Sequence, residues 1–398
     1  MTRSIFLRAG TTPVFLMAST IAAEASSLPS FLFSDQSEDA VVLVQDTNAD
    51  GDGQDPGEAT IFFDENNASG LVTPTSNVFT LEQDRSGTVY VGDGNTDAVY
   101  AVRDKNGDSD AQDAGEAQVW FSAAGNADGR SLLTPNGLAV GNDGAIYITE
   151  ADVISTQSGD FIYRTEDLNN DGDAQDLGES SIWLDLKALD PASSAFEIAF
   201  DGDVAYVIDS AGGSPRIYRA EDTSNDGSID INTEVTTYID DTNAFGVGFF
   251  FAMDVALGSV FVADFGVITQ LTDLNGSGTI DQANEAVEVW DETLMPLSNP
   301  NGFNFGLAAN DEGDLLMVSN GGTTSDLVVY LSDTNDNGLF SADETTVAIS
   351  RDQNGTFPNR ARTALFYDAP APVSVPPALP LLAGALGVMG VLRRRPRP

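Results

Sequence analysis

Between Phe31 and Tyr367 the chain alternates short apolar runs of five or six residues with turns rich in Gly, Asp and Asn. Runs this short, with aromatic and β-branched residues inside and glycine at their ends, predict strands. They recur in register. Tyr90-Val91-Gly92-Asp93, Tyr147-Ile148-Thr149-Glu150, Tyr206-Val207-Ile208-Asp209 and Phe261-Val262-Ala263-Asp264 each end on an acid. A later run places Tyr100, Tyr163 and Tyr218 four residues before Asp104, Asp167 and Asp222. An earlier run, such as Gly137-Leu138-Ala139-Val140, stands ahead of a turn, here Asn142-Asp143-Gly144. The pattern predicts four strands per period.

The sharpest marker of the period is an acidic segment beginning at Asp46, Asp104, Asp167, Asp222, Asp273 and Asp333, in steps of 58, 63, 55, 51 and 60 residues. Each copy closes on a glutamate: Glu58, Glu116, Glu179, Glu234, Glu285 and Glu344. Six residues after each glutamate an apolar run ends on Asp or Ser, at Asp64, Ser122, Asp185, Asp240, Asp291 and Ser350. Four short strands repeated at this spacing are the signature of a propeller blade. The expected fold class is all-β, a six-bladed β-propeller of four-stranded blades; an open β-solenoid would have shorter repeats. The first run, Phe31–Asp35, matches a second strand, and the missing innermost strand is available at Thr363–Tyr367. The ring is therefore expected to be closed by a C-terminal strand, which leaves no open edge.

Asp-x-Asn-x-Asp-Gly sets side-chain oxygens at positions 1, 3 and 5 of the segment. A carboxylate at 9 or 10 and the glutamate at 12 or 13 can complete an oxygen shell for a hard cation. The candidate ligands in loop one are Asp46, Asn48, Asp50, Asp52, Asp55 and Glu58. Loop two offers Asp104, Asn106, Asp108, Asp110, Asp113 and Glu116, and loop three Asp167, Asn169, Asp171, Asp173, Asp176 and Glu179. Loop four offers Asp222, Ser224, Asp226, Asp230 and Glu234, and loop five Asp273, Asn275, Ser277, Asp281 and Glu285. Loop six offers Asp333, Asn335, Asn337 and Glu344. Up to six Ca2+ ions, one per blade, are expected.

Five loops carry the glutamate at position 13, and strands, not helices, flank every copy. The segments therefore resemble the calcium loops of non-helical scaffolds, other propellers included, and not EF-hand domains. Loops one to three hold five acids each and loop five only three. Ligand charge tunes affinity, so the first three are expected to bind more tightly than loops five and six. Magnesium, which demands a compact octahedron, suits them less. The alternative is a set of Asp/Asn/Gly-rich turns without metal.

Composition narrows the chemistry. The 398-residue chain has no Cys and no His, which excludes disulfides, Cys/His zinc sites, thiolate nucleophiles and Ser-His-Asp triads. Sixty-two acids against 17 bases give a net charge of −45, so no nucleic-acid partner is expected. Residues 1–25 carry Arg3 and Arg8, the apolar Val14-Phe15-Leu16-Met17-Ala18 and then Ala23-Glu24-Ala25, the layout of a signal peptide. The propeller is expected over 29–368, a Pro-rich linker over 369–374 and a C-terminal sorting or anchor segment over 375–398.

That last segment reads Val375-Pro376-Pro377-Ala378-Leu379-Pro380, then an apolar stretch through Leu392, then Arg393-Arg394-Arg395. It resembles the PEP-CTERM class of bacterial sorting tails in its Val-Pro-Leu-Pro-Ala form, with Pro377 in the place of leucine. The resemblance implies processing by an exosortase-type enzyme after a transient stop in the inner membrane, arginines cytoplasmic. It further implies delivery to the cell surface or extracellular matrix of a Gram-negative bacterium. A permanent single-pass anchor is the other reading, and membrane contact is expected only through this segment. Without its two ends the body keeps 61 acids and 11 bases. Carboxylates at that density repel, so bound calcium would stabilise the fold itself.

A catalytic site is harder to find. Pro135-Asn136-Gly137, Pro300-Asn301-Gly302 and Pro358-Asn359 belong to the face opposite the acidic loops. Pro-Asn-Gly before a strand resembles the gluconolactonase/senescence-marker family of six-bladed propellers. The resemblance implies a central metal with Asn and acidic ligands; Glu197 and Asp254 are the nearby acids. Other inter-blade entries carry Phe79, Phe196, Phe251 and Phe305. Asp35, Asp93, Glu150, Asp209 and Asp264 either line the channel rim or bond the amides of the next turn. Trp120, Trp183 and Trp290 either stack on sugars or pack between blades. No catalytic residue is assigned. The expected function is an exported calcium-binding propeller acting as a non-enzymatic binding or structural module toward exopolysaccharide or another surface component. The alternative is a calcium-dependent lactonase or esterase with its site at the central channel.

Overall fold

The computed structural model describes residues 27–71, 78–151, 160–210, 214–243, 245, 250, 252–295, 303–320 and 326–370. The expected signal peptide and sorting tail lie outside the described residues, as do Phe251, Pro300-Asn301-Gly302 and the side chain of Phe305. Within them, 24 strands form six four-stranded antiparallel sheets. The second blade runs β4 (Val78–Gln83), β5 (Val89–Asp93), β6 (Ala98–Val102) and β7 (Ala117–Ser122) from the axis outward. The third is β8 (Pro135–Val140), β9 (Ile146–Glu150), β10 (Phe161–Thr165) and β11 (Ser180–Asp185). The fourth is β12 (Ala195–Asp201), β13 (Val204–Asp209), β14 (Arg216–Glu221) and β15 (Val235–Asp240). The fifth is β16 (Ala252–Ala256), β17 (Ser259–Asp264), β18 (Val267–Leu271) and β19 (Ala286–Asp291). The sixth is β20 (Phe303–Ala309), β21 (Leu315–Asn320), β22 (Leu327–Leu331) and β23 (Thr345–Ser350).

The first blade joins both ends of the ring. Its strands β1 (Phe31–Asp35), β2 (Ala40–Val44) and β3 (Ala59–Phe63) are completed on the axis side by β24 (Ala361–Phe366). Phe31 pairs with Phe366, Leu32 with Leu365 and Phe33 with Ala364. This is the closure expected from the missing innermost strand. It removes the exposed edge that β1 would otherwise present.

The core is divided among the seams between blades. Leu43 and Phe62 of the first blade pack with Val91 and Tyr100 of the second. Trp183 and Leu184 of the third pack with Val207 and Tyr218 of the fourth. Trp120 and Trp290 also serve the seams: each indole N–H donates across to a threonine hydroxyl of the next blade, Thr165 at 3.0 Å and Thr345 at 3.1 Å. All three tryptophans are buried, which settles them as packing residues. Near the axis the innermost strands meet so closely that side chains are excluded. A Cβ on Gly137 would lie 2.8 Å from the Glu197 Cα, and one on Gly306 would lie 2.7 Å from the Thr363 Cα. The Pro-Asn-Gly motif at Pro135 is thus the start of strand β8, with its glycine needed for close backbone approach.

Every outer strand is bulged at the same place. The register between third and fourth strands skips Phe62, Trp120, Trp183, Tyr238, Val289 and Ala348 in turn. A bulge leaves one residue's backbone groups out of the ladder. Because strands alternate in direction, the acidic loops joining third to fourth strands share a face with the turns joining first to second strands.

Candidate functional site

Each acidic loop is built by its own first and last carboxylates. The position-1 aspartate accepts the backbone N–H of position 6 in all six copies, at 2.6–2.9 Å. Position 6 must be left-handed for this: Gly51 has φ 96° and Gly172 has φ 99°. Ser109 adopts φ 74° at the same place, a conformation a side chain rarely takes, and its N–H still reaches Asp104 at 2.9 Å. The closing glutamates are buried. Glu58 takes the N–H groups of Thr47 and Asn48 on one oxygen and that of Asp55 on the other. Glu179 repeats the arrangement, and Glu344 takes the Asn335 N–H and the Thr334 hydroxyl on one oxygen and the Ser341 N–H on the other. Bonds from the Ser341 hydroxyl and N–H hold the Glu344 carboxyl down at about 2. The sequence pointed to these glutamates as shell-completing ligands; their hydrogen bonds make them, in addition, the staples that close the loops.

Within this frame the remaining oxygens converge. The Asn48 amide donates to Asp50 at 3.1 Å and to Asp55 at 2.7 Å, drawing positions 5 and 10 together. Asn106 and Asn169 do the same for Asp108 with Asp113 and for Asp171 with Asp176. In loop one, carboxylate oxygens of Asp50, Asp52 and Glu58 lie within 4.8 Å of one another, the one such triplet among the described residues. Burial, and then the charges of their neighbours, push Asp52, Asp110 and Asp173 upward. Loops four to six are poorer. Ser224 donates to Asp222, Ser277 donates to the Thr279 carbonyl, and Asn335 donates to Glu344. A set of clustered, hydrogen-bond-ordered oxygens without nitrogen or sulfur donors is chemistry for a hard divalent cation.

Of the acids ending the second strands, Asp35 and Asp93 bond the turn that follows, whereas Asp209 accepts from the Ser193 hydroxyl and the Ser194 N–H ahead of β12. Asp35 accepts from the N–H groups of Ser37, Glu38 and Asn359, and Asp93 from those of Asn95 and Thr96.

The axis carries a second group. Glu82 on β4, Glu197 on β12 and Asp254 on β16 face the same narrow channel as Leu138 and Thr363. Burial pushes Glu82 up to about 8 and Glu197 well above the usual carboxylate range, the Asp254 charge adding to both. Burial likewise raises Asp254 to about 6, against N–H bonds from Ala309 and Val255. Arg362 on β24, stacked 3.9 Å above the Phe79 ring, is lowered to about 10 by burial, with Glu197 opposing. The space here is about 50 Å³, room for a few water molecules. A cavity of about 700 Å³ opens on the acidic-loop face, bordered by Glu82, Asp84, Asp311 and Glu312. Sequence reasoning singled out Glu197 and Asp254 and missed Glu82 and Arg362. The available signal was a lone charge inside an apolar run, Val78-Phe79-Thr80-Leu81-Glu82 and Ala361-Arg362-Thr363-Ala364-Leu365. Asn136 is buried in β8 and Asn359 caps Asp35.

The fold and its loops define the class of this chain: a six-bladed β-propeller. No protein-family model and no curated protein matches its sequence. Many solved structures match its shape. A chain of a nidogen/laminin complex is 13% identical with a TM-score of 0.53, covering 86% of this chain and 99% of its own. Regucalcin from Agrobacterium tumefaciens strain C58, described as a calcium-binding protein, is 13% identical with a TM-score of 0.42, covering 66% and 72%. Virginiamycin B lyase from Staphylococcus aureus is 14% identical with a TM-score of 0.44, covering 79% and 83%. At such identities the likeness concerns the fold alone.

Proposed function

We propose that this chain is an exported calcium-binding propeller, a non-enzymatic binding or structural module of a bacterial surface or matrix. One observation carries the reading: six oxygen-rich loops stand at the same strand connection of all six blades, each ordered by the same carboxylate-to-amide bonds. Carboxylates packed this way repel one another until a cation compensates them, so binding energy becomes folding energy. Calcium outside the cell is abundant enough for loops of modest affinity. The signal-like N-terminus and the sorting-type tail support the address, and the acidity supports divalent bridging to anionic polymers.

The test is thermal melting and calorimetric titration of the 29–368 body. Chelation should lower the melting temperature by several degrees, since saturation at about 100 Kd is worth about 2.7 kcal/mol per site. Calcium should restore it and magnesium should do so poorly. Melting that ignores calcium rejects the reading.

A further inference from the structure

The acidic loops do not end at their own blades. Position 8 of each (Gly53, Ala111, Ala174, Ile229, Ile280 and Phe340) donates its backbone N–H to a carbonyl of the preceding blade's outer strand, at 2.7–2.9 Å. In every case the acceptor is the bulged residue of that strand: Gly53 bonds Ala348, and Ile229 bonds Trp183. The bulge takes this carbonyl out of its own ladder and the next loop satisfies it. From position 8 onward the side chains join the seam. Ala111 and Ala174 are fully buried and Ile229, Ile280 and Phe340 nearly so. At position 9, Gln112 donates to Asp64 and Gln175 accepts from Ser122, each the residue six beyond the preceding glutamate. Gln54 reaches Val347 and Ser350 across the seam where the ring closes.

We propose that each acidic loop is a directional latch between blades: cation occupancy of one loop sets how firmly the outer strand of the preceding blade is held, all the way round the ring. The inference rests on the calcium reading above and adds the direction of coupling. The carboxylates at positions 1 to 7 and the latch at position 8 share one short stretch of backbone. Ordering the former around a cation therefore presents the latter in register.

Hydrogen exchange followed by mass spectrometry tests it on the 29–368 body with calcium or a chelator. Calcium should slow exchange in loop four's own strands, β14 and β15, and also in β11 of the preceding blade. Asp222→Ala should reduce the calcium effect on β11 to the share that its own loop three supplies, while β7 and β19, latched by other loops, respond in full. Ile229→Ala keeps every loop-four carboxylate. It should leave the heat of calcium binding nearly unchanged yet speed exchange in β11 roughly five- to tenfold, the scale of part of a buried side chain lost from the seam while the backbone N–H is kept. Calcium binding by calorimetry with the Asp222→Ala effect confined to β14 and β15, and β11 exchanging as in the unaltered protein, overturns the latch alone. No heat of calcium binding overturns the calcium reading and the latch with it.

Discussion

Single residues in the channel set a pH dependence of their own. Glu82 and Asp254 are held above their ordinary values, at about 8 and about 6, chiefly by burial. An acid whose folded value is raised favours folding while protonated, so its contribution is complete below the ordinary carboxylate range and is lost as pH climbs through the folded value. Asp254 and Asp84 are the charged groups that act on Glu82, and Asp254, Glu82 and Arg362 those that act on Glu197. Stability should therefore fall between pH 5 and pH 9. Glu82→Gln should flatten the fall and be the more stable protein at pH 9 by about 1–2 kcal/mol. A tenfold change in a proton equilibrium is worth about 1.4 kcal/mol, and contact with the channel screens part of the total. Thermal melts of both proteins across that range at fixed calcium check it; parallel curves would show that Glu82 ionises freely.

The repeated loop is the element whose chemistry varies along the chain. Loop three holds five acids and bonds Asn169 to both Asp171 and Asp176, whereas loop five has Ser277 at position 5 and turns its hydroxyl to Thr279. Asp171→Ala removes one carboxylate of this set and leaves the staples on Asp167 and Glu179 in place. Calcium affinity of that loop should drop by roughly tenfold or more, with the weaker loops unchanged. Calorimetric titration should show one high-affinity site lost. An identical titration would exclude the position-5 carboxylate as a ligand. The strands on either side were legible from alternation and turn residues because that information is local. The bulges were not legible: the skipped position is occupied by Phe, Trp, Tyr, Val and Ala in different copies, and no residue type marks it.

For the molecule as a whole, stability depends on closing the ring. Chains ending before Thr363 would leave β1 with an unpaired edge and empty one side of the seam formed by Leu365 and Tyr367 with Phe62. They should aggregate or melt far lower than chains ending after Ala371, as soluble yield and thermal unfolding would show. Equal behaviour of the two truncations would mean that β24 is dispensable.

The sequence by itself determined the number of blades, the four strands of each, the split blade and the position of every acidic loop. All of these follow from short-range patterns: two-residue alternation, turn chemistry and a motif repeated at blade spacing. Only the tertiary structure decided what those pieces meet. Glu82, Glu197 and Asp254 come from three different blades and share one channel because the innermost strands crowd the axis, and Arg362 of a fourth blade stands in the field of Glu197. The Asp or Ser six beyond each glutamate stood in the sequence as an unexplained constant. In the folded ring Asp64, Ser122 and Ser350 bond the position-9 glutamine of the following loop, a partner set by how neighbouring blades stack and not by anything local to the strand.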